Sequence, residues 1–215
     1  MSRILYLHGF ASSPASRKAL YFKRLLESAG ALVDAPDLSE GDFFHLSISG
    51  QLRVVQAAAR GGPVSIVGSS LGGYLAALFA SRYPLAQRVV LLAPAFGFAR
   101  LWRQRLGDRR MDDWRREGSL SVFHYGEGRD LPLGWQLMED AAGYEDFPAL
   151  TQPALVFHGS RDDVVPPGSS LEFAARVPNA RVETLESGHD LLDQLDYMGP
   201  RIVRFLLPDS RRPPA

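Results

Sequence analysis

The run Val64-Ser65-Ile66-Val67-Gly68-Ser69-Ser70-Leu71-Gly72-Gly73-Tyr74 narrows the choice of fold more than any other stretch of the chain. A short apolar strand passes through G-x-S-x-G straight into the start of a helix, a turn that lifts one serine above the end of a sheet. Glycine is required at 68 and 72 because the turn is too tight for side chains, and its strain holds the central hydroxyl out over the strands. The frame selects Ser70, since centring on Ser69 would need glycine at position 67, which is valine. The competing reading is an ordinary strand-to-helix loop with a serine as N-cap.

The surroundings suit the first reading. Val-, Ile- and Leu-rich runs at about 3–7, 31–36, 63–68, 87–93, 153–158 and 181–186 alternate with helix-like stretches, the pattern of βαβ units around a buried parallel sheet. Helices are expected from near Pro14 to Gly30, with Leu20, Phe22, Leu25 and Leu26 as the apolar face, and at about 47–60, 71–82, 168–176 and 190–206. The last carries Leu191, Leu192, Leu195, Met198, Ile202 and Phe205 at helical spacing, read as core. With 215 residues, a single domain over 1–215 is expected. The pattern breaks at about 96–147, too long for one crossover, and this segment reads as a small cap insertion. The tail, about 208–215, reads as disordered.

A hydroxyl nucleophile needs a base and an acid, in this fold class in the order Ser, Asp or Glu, His. After the fifth strand-like run comes Gly159-Ser160-Arg161-Asp162-Asp163-Val164-Val165-Pro166, and after the sixth, Ser187-Gly188-His189-Asp190. Asp162 is preferred to Asp163 by its place in Gly-x-x-Asp-x-x-Val-Pro, and His189 is the expected base, its tautomer held by Asp162. The backbone N–H groups of Leu71 and Phe10 are the candidate oxyanion donors, each such donor being worth about 2.7–4 kcal/mol in the transition state. His8, beside Phe10, is given a structural role, and His45, His124 and His158 are read as packing or surface residues.

Other chemistries find no support. The chain has no cysteine, which removes disulfides and thiolate chemistry. No His/carboxylate spacing resembles a metal site, and neither a P-loop nor a G-x-G-x-x-G follows a strand; no metal or cofactor is expected. Twenty-four basic residues balance 24 acidic ones, so no field gathers nucleic acid or an anionic membrane. No apolar run approaches the roughly eighteen residues of a membrane span. The chain enters its first strand without a secretory leader, and cytoplasmic residence is the expectation. Nothing specifies an oligomeric state.

With these pieces in place, the chain resembles the α/β-hydrolase superfamily over nearly its whole length. It is similar in particular to small bacterial esterases of the YqiA type, through Leu5-Tyr6-Leu7-His8-Gly9-Phe10 followed by Ser12-Ser13-Pro14, and through Val67-Gly68-Ser69-Ser70-Leu71-Gly72-Gly73-Tyr74. The resemblance implies a mainly parallel sheet of about six strands with helices on both faces. It also implies hydrolysis of small acyl esters or thioesters through an acyl-serine, without a cofactor. It is poorer over 96–147. There Trp102, Trp114 and Trp135 are candidates for an acyl pocket, and seven arginines between Arg100 and Arg116 either meet an anionic group or pair along a covering helix with Asp108, Asp112, Asp113 and Glu117. The second reading of the arginines is preferred. Fold and residue set leave open a C–C bond hydrolase or a peptidase, and an inactive ligand-binding protein stands as a different class of function.

Overall fold

The computed structural model describes residues 1–208; the tail expected to be disordered thus lies, beyond Pro208, outside the described residues. Six parallel strands form one sheet in the order β2-β1-β3-β4-β7-β8: β1 (Arg3–Leu7), β2 (Leu32–Asp34), β3 (Val64–Ser69), β4 (Ala86–Leu92), β7 (Ala154–Gly159) and β8 (Ala180–Leu185). A two-stranded antiparallel hairpin, β5 (Ser119–His124) and β6 (Arg129–Gly134), stands apart. The helices are α1 (Arg17–Ser28), α2 (Ile48–Ala59), α3 (Leu71–Arg82), α4 (Phe98–Glu117), α5 (Gln136–Ala141), α6 (Gly168–Arg176) and α7 (Leu195–Leu206).

Strand periodicity divides the core. Leu5, Leu7, Ile66, Val89, Leu91, Ala154 and Val156 face one side with α2, α3 and α6, while Ile4, Tyr6, Val67, Val90, Leu92, Leu155 and Phe157 face the other with α1 and α7. The register places Leu5, Ile66, Val89 and Ala154 side by side across four strands. Both faces of the four central strands β1, β3, β4 and β7 are covered, which is why they read as largely apolar runs, whereas the edge strands β2 and β8 are partly exposed.

Two helix expectations shift. α1 starts at Arg17 rather than near Pro14, because the Ser16 hydroxyl accepts the Ala19 N–H and caps the helix. Its buried face is Ala19, Phe22 and Leu26, whereas Leu20 points outward at 40% exposure. Full burial of Phe22 and Leu26 contributes about 1.5–3 kcal/mol each. The final helix begins at Leu195 after a short 3-10 turn at Leu192–Gln194.

Residues 96–147 hold α4, the hairpin and α5. The hairpin was not legible as strands: its burial pattern is mixed, with Leu120, Val122 and Leu131 only half-buried, and the glycines at 126 and 128 lie in its turn. α4 is broken at Gly107, where φ is 73° and ψ 161°, a conformation that essentially only glycine adopts.

The site follows from this topology. From β1 the chain moves outward to β2, then returns to place β3 on the other side of β1. β1 runs into α1 on one face and β3 into α3 on the other. The crevice at the carboxyl ends of two such strands is where open α/β sheets bind ligands, and the loops entering it are His8-Gly9-Phe10 and Ser69-Ser70.

Candidate active site

Ser70 sits between β3 and α3 with φ 54° and ψ −117°, a strained conformation for a residue with a side chain. Its amide donates to Leu92 O (2.8 Å) and its carbonyl accepts from Gly73 N and Tyr74 N, so the strain is held by backbone hydrogen bonds on both sides. The N-cap reading fails, because the Ser70 side chain makes no cap hydrogen bond. The two glycines are sterically compelled. A Cβ on Gly68 would lie 2.2 Å from Gly72 O, and one on Gly72 would lie 2.2 Å from Leu7 O.

The freed hydroxyl meets His189, whose Nε2 is 3.0 Å from Ser70 Oγ, and His189 Nδ1 is 2.7 Å from Asp162 Oδ2. A carboxylate only accepts, so Nδ1–H donates to Asp162 and the Nε2 lone pair accepts from the serine. The three residues come from the loops after β3, β7 and β8, brought together only because those strands end on the same edge. Asp163 is exposed and makes no hydrogen bond among the described residues.

Asp162 has four donors. Oδ1 accepts the Val164 and Val165 N–H groups at 2.9 and 2.8 Å, and Oδ2 accepts from His189 and, at 3.0 Å, from His158 Nε2. His158, read from sequence as a packing or surface residue, is fully buried. Its Nε2–H is shared between Asp162 and Val165 O, while the Ser170 hydroxyl donates to Nδ1. Its position at the carboxyl end of β7, four residues before the acid, was the available signal.

Burial alone would raise the Asp162 pKa, but the hydrogen bonds from His158 and His189, the attraction of His189 and the Val165 N–H outweigh it and hold the carboxyl well below the ordinary range. A carboxyl depressed in the fold contributes stability above its unfolded pKa of about 3.9, and that contribution is lost as pH falls toward the folded value. Urea unfolding between about pH 5 and pH 2 is therefore expected to show a loss of order 2 kcal/mol in the wild type that Asp162→Asn lacks. Equal slopes for the two proteins would sink this account.

Leu71 opens α3, and neither its N–H nor that of Phe10 has a hydrogen-bond partner among the described residues. Both residues line, with Ser70, a cleft of about 320 Å³. His8 beneath them is buried; its Nδ1–H donates to Gly9 O and its Nε2 accepts the Leu38 N–H, and burial lowers its pKa. His45 is exposed beside Asp42. His124 accepts the Glu127 N–H in the hairpin turn.

Of the three tryptophans, Trp102 lines the cleft. Trp114 does not: it is 1% exposed and donates to Leu133 O, pinning α4 to the hairpin. Trp135 packs edge-on to Trp114 and faces a separate surface groove. The remaining walls come largely from residues no motif marked, among them Phe98, Leu101, Leu120, Val122 and Tyr125. Among the described residues no group of three or more His, Asp or Glu is placed to hold a metal ion, and no helix is long and apolar enough to cross a membrane.

Solved structures share this architecture. The alpha/beta hydrolase domain-containing protein 10 from mouse superposes with a TM-score of 0.78 at 21% identity, covering 93% of this chain and 87% of its own. Est1E from Butyrivibrio proteoclasticus, solved with ferulic acid bound, gives 0.82 at 20% identity, covering 99% and 90%. The fold is thus that of the α/β hydrolases. A curated relative, the poly(3-hydroxyalkanoate) depolymerase of Ectopseudomonas oleovorans, is 28% identical over 180 residues, 70% of this chain, and the match spans 63% of that protein's length. The profile of the uncharacterised protein family UPF0227 matches residues 3–206, from the first strand to the end of the last helix, and the chain belongs to that family.

Proposed function

We propose that the protein is a serine hydrolase of carboxylic esters or acyl thioesters working through an acyl-serine intermediate. The observation that carries this reading is the continuous hydrogen-bonded path from Ser70 Oγ through His189 to Asp162, opening onto an apolar cleft.

Ser70 Oγ attacks the acyl carbon while its proton passes to His189 Nε2. Negative charge collects on the former carbonyl oxygen, where the Leu71 and Phe10 N–H groups receive it; they have no hydrogen-bond partner among the described residues and cost no reorganisation. The imidazolium, steadied by Asp162, gives its proton to the leaving alcohol or thiol as the carbon–heteroatom bond breaks. Water then enters, His189 takes one of its protons, and hydroxide adds to the acyl carbon. Collapse releases the acid and returns the proton to Ser70. The relative's name agrees with ester chemistry, since poly(3-hydroxyalkanoates) are polyesters.

The direct test is labelling with a fluorophosphonate followed by mass spectrometry of the adduct. A single adduct at Ser70, abolished in His189→Ala, is the expected result. An unlabelled Ser70 in folded protein would refute the mechanism and favour an inactive binding role. Turnover of a panel of nitrophenyl esters separates ester hydrolysis from peptidase or C–C bond chemistry on the same residues.

A further inference from the structure

We propose that Arg105 and Arg110 form an anion subsite on the cap wall of the cleft, so that the preferred substrate bears a carboxylate on its acyl part. The inference rests on the Ser70 reading above and adds a substrate class to it.

The break in α4 creates this arrangement. In a continuous helix, side chains five positions apart diverge by about 140°, and Arg105 and Arg110 would not share a surface. The φ of 73° and ψ of 161° at Gly107 reorient the second half of the helix, and both arginines line the cleft that holds Ser70. The same break separates Arg105 from Asp108, which at i,i+3 would pair with it in an unbroken helix.

The preferred expectation of intrahelical pairs holds at Arg116 and fails at Arg105 and Arg110. Arg116 pairs with Asp113 at 2.6 Å and Arg100 with Asp146 at 2.9 Å. The side chains of Arg105 and Arg110, both solvent-exposed, make no ion pair or hydrogen bond among the described residues. Two guanidinium groups without protein partners flank an apolar wall of Phe98, Leu101, Trp102 and Leu106. An aliphatic chain suits that wall, and a carboxylate is the planar acceptor a guanidinium binds through two parallel hydrogen bonds.

Ser70 and the candidate oxyanion donors Phe10 and Leu71 line this cleft, and the acyl part is placed there, with the leaving group toward His189 Nε2, which lies 3.0 Å from Ser70 Oγ. The cleft's 320 Å³ is at the small end for ligand sites, which favours a short to medium dicarboxylic half-ester.

Three chromogenic esters test the proposal: 4-nitrophenyl hexanoate, mono-4-nitrophenyl adipate, and 3-carboxy-4-nitrophenyl hexanoate, whose charge is on the leaving group. The ratio of kcat/KM for adipate over hexanoate is expected to be about tenfold higher in the wild type than in Arg105→Gln/Arg110→Gln, to arise mainly in KM, and to shrink at 1 M salt. Arg103→Gln/Arg109→Gln, on the same helix but outside the cleft lining, controls for net charge and should keep the wild-type ratio. An unchanged ratio in the first variant, an equal loss in the control, or an advantage that follows the charged leaving group instead would each overturn the subsite. Failure to turn over even the neutral ester, with no label at Ser70, would overturn the hydrolase reading itself.

Discussion

Ser70→Ala is expected to lower kcat for 4-nitrophenyl butyrate by roughly 10⁴–10⁶-fold, the range found when a nucleophile that works as a unit with its base is removed. The substitution leaves the Cβ, the backbone hydrogen bonds to Leu92, Gly73 and Tyr74, and the strained φ of 54° as they are. Only the hydroxyl that faces His189 at 3.0 Å is lost. Unfolding should therefore shift little, within about 0.5 kcal/mol for a change that breaks no packing, while turnover collapses to what the oxyanion donors and the cleft supply alone. The paired measurement is decisive. A variant that keeps more than a tenth of the activity would show that the ester bond is cleaved elsewhere, and a variant that unfolds would leave fluorophosphonate labelling of the wild type as the deciding observation.

The largest stability effect is expected at Gly72. Its Cβ would stand 2.2 Å from Leu7 O and 2.5 Å from His8 O. Those atoms belong to the backbone at the end of β1, which pairs with β3 through Leu7 and Gly68 and cannot give way as a flexible side-chain end would. Gly72→Ala must push the first turn of α3 off the sheet, displacing the Leu71 N–H as it does so. A loss of about 3–5 kcal/mol is expected, above the usual cost of overpacking because backbone rather than side chain must move. Gly62→Ala, whose nearest contact would be the Arg3 guanidinium at 3.8 Å, is the control and should be near neutral. Comparable urea midpoints for the two variants would mean that the approach of α3 to β1 is not rigid.

Both effects concern a segment that could be read directly from the chain, and the reason is local. Strand, tight turn and helix start are consecutive, so hydropathy period and glycine placement specify them without reference to distant residues. The four central sheet strands were legible for a related reason, since burial on both faces leaves them largely apolar; the half-exposed edge strands β2 and β8 offered only short apolar runs. β5 and β6 were not, because their half-buried faces alternate weakly and Pro132 interrupts the second strand. Asp162 and His189 could be picked out by chain order, but their separation of 2.7 Å is a property of where β7 and β8 end. His158 lies four residues before Asp162, yet its hydrogen bond to that carboxylate became visible only with the bend of the loop between them.

What the amino-acid order determined by itself was therefore the βαβ alternation, the elbow at Ser70 with its two compelled glycines, and the identities of the candidate acid and base. Each depends on interactions within a few residues or on a fixed sequence of strands. The tertiary structure decided what surrounds the serine. It buried Trp114 as a strut, turned Trp135 to another surface, left only Trp102 of the three on the cleft, and through the break at Gly107 set Arg105 and Arg110 on one wall. These outcomes depend on how α4 and the hairpin pack over the sheet, and a side chain's direction there is set by contacts far away in sequence rather than by its neighbours in the chain.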